Sequence, residues 1–372
     1  MKRIQPKIST LQIEQQQRLK EKLPHWYVHP DLCYPSSIAL QQASSQESAL
    51  YKQRFVQEGD VVVDITGGFG VDCAAFAPKV TKVIYIEKDE ALCRLAKHNF
   101  KTLGYCNIEV LNGSCLDLIP HLPPSHLIYI DPSRRDIHQK RLFALSDCEP
   151  DIIAIKELLL KMGSRVLIKI SPMADIRHTL RLLPETVQVH VVAVKNECKE
   201  LLFLLEQRRN HLEMERIPIH CVDLDPFKPE LLFHFTLEEE KQSLALMASE
   251  NMQGWLYESN VSIRKAGAFK LPTKRFGMFK LHPHTHLYYA PTYIDSFPGR
   301  IFHITEVLTY KKQTIKTLHQ SIPQANIAVR NFCLEALELK KRLKIKDGGD
   351  IYIFGVTLFD GRYALILSTK EK

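Results

Sequence analysis

The feature that most constrains this chain is an apolar run, Val61-Val62-Val63-Asp64, that passes directly into Ile65-Thr66-Gly67-Gly68-Phe69-Gly70 and then into a helical stretch. A buried strand feeding a glycine-rich turn and a helix opens a βαβ unit, and the glycines let the backbone approach a ligand at the strand's carboxyl end. From residue 60 to about 209 the alternation repeats. Short β-branched runs at 61–65, 82–87, 108–111, 126–130 and 165–170 are separated by helical stretches, which predicts a parallel sheet. Two more runs, 187–194 and 200–205, are joined by Lys195-Asn196-Glu197-Cys198. That link is too short for a crossover helix, so the pair is expected to be an antiparallel hairpin. The expected class is α/β, with a mostly parallel seven-stranded sheet ending in an antiparallel hairpin.

The flanks read differently. Up to about residue 57 there is no strand-like alternation; 10–22 and 38–55 predict helices around a Pro- and aromatic-containing loop, 24–35, giving a helical N-terminal extension. Beyond 209 a mixed α+β region reaches about 298, with strand-like runs 217–222, 231–235 and 287–290. A final α/β unit follows: strand 301–307, helix 310–319, strand 324–329, helix 333–343 and a closing hairpin, 350–358 with 363–368. The predicted division is 1–57, 58–210, 211–298 and 299–372, in keeping with a length of 372 residues that exceeds what one core usually organises. Nine cysteines show no C-x-x-C pair and no Cys/His ligand spacing, so reduced thiols, no metal and a cytoplasmic setting are expected. The basic start, Met1 to Lys7, lacks a signal peptide's apolar stretch, and no apolar run approaches the roughly 20 residues of a membrane span. A net charge of +8 permits a polyanionic partner without demanding one.

The turn itself discriminates between ligands. Dinucleotide sites use G-x-G-x-x-G, but here Gly68 and Gly70 are followed by Cys73 at the third glycine position, and Asp64 stands just before the turn. An acid there repels a pyrophosphate and accepts hydrogen bonds from an ammonium, so the pocket favours a zwitterion. The second strand ends in Glu87, nineteen residues after Gly68, where a carboxylate takes both hydroxyls of a ribose. The third ends Asn112-Gly113-Ser114-Cys115. The fourth ends Asp131-Pro132-Ser133-Arg134-Arg135, where Asp131 is placed to orient an acceptor, and the two arginines to clamp a phosphate or carboxylate.

Together the Asp64–Asp72 loop, Glu87 and the Asp131 loop resemble the class I S-adenosylmethionine-dependent methyltransferases, whose Rossmann-like sheet has this strand order with the terminal hairpin. The turn and the helix ending Leu95-Ala96-Lys97-His98-Asn99 are also similar to the RNA-cap trimethylguanosine synthase type, with Pro132-Ser133-Arg134 in place of its Pro-Pro-Trp element. Over nearly the whole chain the sequence looks like a bacterial group of methyltransferases with a ferredoxin-like and a C-terminal THUMP-like domain. Three segments carry that likeness: Gln41-Gln42-Ala43-Ser44-Ser45-Gln46-Glu47-Ser48-Ala49-Leu50-Tyr51-Lys52, Ile263-Arg264-Lys265-Ala266-Gly267-Ala268-Phe269 and Lys344-Ile345-Lys346-Asp347-Gly348-Gly349-Asp350.

The resemblance implies S-adenosylmethionine as cofactor, held by Asp64, Thr66, Gly67, Gly68, Gly70, Asp72, Glu87, Lys88, Ser114 and Cys115. Asp131, Pro132, Arg134 and Arg135 would face the acceptor, and Ser44, Ser45 and Lys52 would close over the cofactor from the N-terminal helix. Methyltransferases often carry an acid for adenine where Ser114 stands. THUMP domains belong to RNA-modifying enzymes, which implies RNA (tRNA or rRNA, at a base nitrogen) as acceptor. Two basic clusters suit a phosphate backbone: Lys265, Lys270, Lys274, Arg275 and Lys280 among Phe269, Phe276 and Phe279, and Lys340, Lys341, Arg342, Lys344 and Lys346. An alternative stays open, an RNA-binding protein with a degenerate, inactive methyltransferase domain, for which Ser114 speaks. The missing third glycine and the hairpin disfavour a nicotinamide oxidoreductase.

Overall fold

The structure, a computed structural model, describes residues 17, 19–35, 37–134, 145, 148–207, 212–249 and 252–371. Two compact units divide the chain, Met1–Pro218 with Leu224–Glu230, and Ile219–Asp223 with Leu231–Lys372.

In the first unit the parallel strands are β1 (Val61–Asp64), β2 (Lys82–Glu87), β3 (Ile108–Asn112) and β4 (Leu127–Ile130). A small pair, β5 (Ser133–Arg134) and β6 (Cys148–Glu149), stands apart from the main sheet. Then come β7 (Arg165–Ile170), β8 (Thr186–Val194) and β9 (Glu197–Glu206). β1 pairs in parallel with β2 on one side and β4 on the other, β4 with β7, and β9 runs antiparallel to both β7 and β8. Strand order therefore reverses between β1 and β4, and in an open α/β sheet ligands bind at the carboxyl ends beside such a switch point. Asp64 and Asp131 stand at those two strand ends.

The expectation of seven strands needs correcting. The sheet order continues past β8 into β10 (Ile219–Leu224) and β11 (Leu231–Phe235), making nine strands in a mixed sheet. The two added strands pair antiparallel with each other, Ile219 opposite Phe235 and Asp223 opposite Leu231, and the sequence reading sets both runs apart from the sheet because they follow its closing hairpin. The helix expected over 38–55 is also broken, into Ser37–Gln42, Gln46–Tyr51 and a tighter turn, Lys52–Phe55. Ser45 causes the break: its Oγ accepts from the Ser48 amide at 3.3 Å and caps a new helix. Of the helix expected over 10–22, residues 10–16 and 18 lie outside the described residues, and 19–22 are helical.

The second unit is built on β12 (Trp255–Ser259), β13 (Phe279–His282), β14 (Thr285–Ala290), β15 (Gly299–Thr309), β16 (Asn326–Arg330), β17 (Ile351–Thr357) and β18 (Tyr363–Lys370). They form one sheet in the order β13-β14-β12-β15-β18-β17-β16, antiparallel except for β16 with β17. One buried cluster gathers Leu256, Phe302, Phe354 and Ile366; another packs Leu339 and Leu343, on the helix Ala336–Leu343, with Leu318, Ile353 and Leu365. β12 and β13 escaped the sequence reading because each carries a buried charge, Glu258 and Lys280, that breaks its apolar pattern. Among the described residues no helix is long and apolar enough to cross a membrane.

Candidate active site

A cleft of about 1540 Å³ opens over the tips of β1, β2 and β4, more than the roughly 300–1000 Å³ of a typical small-ligand pocket. Its floor is the glycine turn. Gly68 and Gly70 take left-handed conformations, φ +53° and +83°, that favour glycine. A Cβ on Gly67 would overlap the Tyr85 ring, and one on Gly70 would lie 2.6 Å from Phe100 Cζ. Gly68 meets nothing nearer than Thr66 O at 3.7 Å, so its cleft side is open. Tyr85 cannot retreat, because it is fully buried and its hydroxyl donates to Gly68 O at 2.6 Å. Gly67→Ala should therefore cost about 1–3 kcal/mol through overpacking, read by thermal unfolding; an unchanged melting temperature would contradict this packing.

Glu87 fastens the turn. Its Oε2 accepts from the Gly68 amide and its Oε1 from the Asp89 amide, both at 2.9 Å. Each carboxylate oxygen keeps a second acceptor site. Lys88, beside it, pairs with Glu149 Oε1 at 2.6 Å. Beyond β3, Ser114 precedes the turn Cys115–Leu118 without capping it through its side chain, and Ser114 and Cys115 both line the cleft.

Asp64 also lines the cleft, but its oxygens are turned to the fold: Oδ1 accepts from Thr66 N at 3.0 Å and from the Thr66 hydroxyl at 3.3 Å, and Oδ2 meets Cys73 Sγ at 3.2 Å. Burial, against the Thr66 and Cys73 bonds and helped by Asp72 and Asp131, pushes its pKa up to about 7. A folded pKa above the unfolded value of about 3.9 stabilises fully below that value and loses the contribution as pH rises towards 7. Wild type should thus weaken between about pH 4 and 7 by up to about 1.4 kcal/mol per pH unit from this proton. Asp64→Asn should flatten that slope in urea melts at several pH values; an identical pH profile would refute the assignment.

Thr66 joins the two strand ends, since its hydroxyl accepts from the Asp131 amide at 2.7 Å. Asp131 Oδ2 in turn accepts from Lys169 Nζ at 2.6 Å, while Oδ1 takes no hydrogen bond among the described residues. Behind this lies a buried ionic network. Lys52 Nζ, with no exposure, sits 3.0 Å from Asp72 Oδ1 and 2.8 Å from Glu200 Oε1. Asp72 Oδ2 accepts from Ser44 Oγ at 2.8 Å and Tyr129 OH at 3.0 Å. Lys169 also donates to Ser44 Oγ at 3.2 Å. Burial pulls Lys169 down, but Asp131, Glu200 and Asp72 outweigh it and hold the ammonium well above the usual lysine range. Burial raises Glu200 despite Lys52 and Lys169, whereas for Asp72 the two lysines and Ser44 overcome burial and lower it.

The structure thus brings Asp64, Thr66, Gly67, Gly68, Gly70, Asp72, Glu87, Lys88, Ser114, Cys115, Asp131 and Pro132 to one cleft. Arg135 and the side chain of Arg134 lie outside the described residues. Ser44 and Ser45 line the cleft, while Lys52 sits behind it, clamping Asp72 to Glu200. Lys169, Glu200 and Tyr129 were missed. For the first two a signal existed, a lone charge in each of the apolar runs Val166-Leu167-Ile168-Lys169-Ile170 and Glu200-Leu201-Leu202-Phe203. His282, His284 and His286, which alternate along the sequence, form no metal-holding group among the described residues, and His286 stacks on Phe269 at 3.7 Å.

Across its whole length the chain is similar to a protein of Porphyromonas gingivalis W83 whose methyltransferase designation is itself provisional: 36% identity, all of this chain and 93% of that one covered, TM-score 0.91. A ferredoxin-like domain family matches residues 255–298 and a THUMP domain-like family residues 299–370. The chain belongs to that methyltransferase family. Its members join a Rossmann-like methyltransferase fold to the ferredoxin-like and THUMP-like parts. Curated relatives of the family cover less. A protein-L-isoaspartate O-methyltransferase of Herpetosiphon aurantiacus is 35% identical over 86 residues, 23% of this chain. A mouse tRNA (uracil-5-)-methyltransferase homolog A is 30% identical over 165 residues, 41% of this chain. The chain spans only 38% and 26% of the length of these two.

Proposed function

We propose that this chain transfers a methyl group from S-adenosylmethionine to a base of an RNA. One observation carries the cofactor reading: ten carboxylates and five lysines line the cleft, although the chain as a whole has a charge of +8. Even with Asp64 and Glu200 counted as neutral, acids outnumber lysines there. Such a hollow favours a cation over a nucleotide's phosphates, and a sulfonium nucleoside with an amino-acid tail carries that charge. The open face of Gly68 leaves room for it, and the spare acceptor sites of Glu87 suit a ribose.

When bound, S-adenosylmethionine supplies an activated methyl group, so the protein's task is mainly to bind and orient. The glycine turn and Glu87 hold the nucleoside. Asp131, fixed by Thr66 through its amide and by Lys169 through Oδ2, offers Oδ1 to a hydrogen on the acceptor. Lys169 fixes the orientation of that carboxylate, and Ser44 ties the lysine to the network under the turn. Oδ1 suits an N–H acceptor, in line with a base nitrogen.

RNA as acceptor rests on the THUMP-like match and on the name of the mouse relative; the Herpetosiphon relative's name points to protein instead. Of the basic clusters, Lys341, Lys344 and Lys346 stand exposed, and these remain candidates for a phosphate backbone. The first cluster is less available than its sequence suggests. Lys280 is buried, Arg275 is bound to His234 O and Glu239, and Phe276 packs on Phe297. In the same reading, residues 1–57 and 58–210 form the cofactor-binding part, and 211–298 and 299–372 the part that holds RNA, in the cytoplasm. Tritiated S-adenosylmethionine offered with bulk tRNA and rRNA, protein and small molecules tests it. Label should enter RNA; label confined to protein or to small molecules would overturn the acceptor.

A further inference from the structure

An acidic cleft is a poor host for the phosphates of a nucleic acid, so phosphate contacts should lie elsewhere. We propose that Arg264, Arg300 and Arg330, gathered on Glu258 in the second unit, form an oxyanion site for a phosphate group. The inference deepens the RNA reading by giving the acceptor a phosphate contact.

The four residues come from separate elements. Glu258 lies in β12, Arg264 in the helix Val261–Ala266, Arg300 near the start of β15 and Arg330 at the end of β16. The Glu258 side chain is 1% exposed. Its Oε2 accepts from Arg300 Nε at 2.8 Å and from Arg300 Nη2; its Oε1 accepts from Arg330 Nε at 2.8 Å and from Arg330 Nη2, and lies 2.7 Å from Arg264 Nη1. One carboxylate thus faces three guanidinium ions, and among the described residues no second carboxylate pairs with any of them. Two positive charges stay uncompensated at side chains 23%, 35% and 31% exposed, open enough to be reached and covered enough to strengthen the interaction.

The forks are already aimed. Arg300 spends Nε and Nη2 on Glu258, which leaves Nη1 without a partner among the described residues. Arg330 is fixed further by Nη1 donating to Val329 O at 2.7 Å. Glu258 therefore holds the cluster in place and leaves Arg300 Nη1, on a side chain 35% exposed, for a second oxyanion. Arginine forks match the spacing of phosphate oxygens. The mutual repulsion is visible in Arg264, whose pKa is lowered by burial and, against Glu258, by Arg330 and Arg300.

The test uses the full chain with Arg300→Gln and Arg330→Gln, and Arg300→Lys as a variant that keeps the charge but loses the fork. Inorganic phosphate is titrated by thermal shift, and a short single-stranded oligoribonucleotide by anisotropy at several salt concentrations. Phosphate should raise the melting temperature of wild type and not of the Gln variants. Each Gln change should weaken the oligonucleotide about tenfold and lower the salt slope by about 0.7, with Arg300→Lys between; cofactor binding in the other unit serves as the fold control. Stabilisation by phosphate without RNA binding would uphold the anion site and sink the RNA reading. RNA binding with unchanged affinity and slope in both Gln variants would overturn the site while leaving that reading standing.

Discussion

Replacing Lys52 by methionine should destabilise the protein by about 3–5 kcal/mol, the usual result of removing one partner from a buried ion pair. Nζ has no exposure and lies between Asp72 and Glu200, at 3.0 and 2.8 Å. Methionine fills nearly the same volume, so the loss would be one of charge rather than of packing. Without the ammonium two carboxylates face one another, with Lys169 3.8 Å from Glu200 as the remaining cation. One of them must then take up a proton, so the deficit should shrink as pH falls from 7.5 towards 5. At about 2–4 °C per kcal/mol for a unit of this size, the melting temperature should fall by roughly 6–20 °C. A variant as stable as wild type at pH 7.5 would show that the network is not held by this lysine.

Asp131→Ala should reduce methyl transfer at least about a hundredfold, the scale on which small errors of acceptor placement act. Affinity for S-adenosylhomocysteine should change little, because Asp131 meets the glycine turn only through its backbone amide on Thr66. Asp131→Asn retains an oxygen acceptor but loses the ion pair with Lys169, and its rate should fall between the two. Single-turnover assays with saturating cofactor separate the effect on rate from binding. Wild-type turnover in Asp131→Ala would remove this residue from the reaction.

Much of this was legible in the sequence because the chemistry sits at strand ends. Periodicity located β2, β7 and β11 to the residue, and the strand ends place Asp64, Glu87 and Asp131 around one hollow. What sequence reading could not supply was which buried charges meet. Lys52, Asp72 and Glu200 are far apart along the chain, and only the turn at Ser44 and Ser45, inside what read as one continuous helix, brings them together. The same limitation hid β12 and β13, whose buried Glu258 and Lys280 look like surface residues until their partners are in place. Residue-type reasoning placed Asp64 at the cleft, which it lines, but could not supply its hydrogen bonds to Thr66 and Cys73.

We propose above all that the hollow above β1 and β2 receives a sulfonium nucleoside. Calorimetric titration of the full chain with S-adenosylhomocysteine tests it most directly. Saturable, micromolar, one-to-one binding is expected, abolished in Glu87→Ala and not reproduced by NAD. Absence of binding, or equal binding by the Glu87→Ala variant, would contradict it.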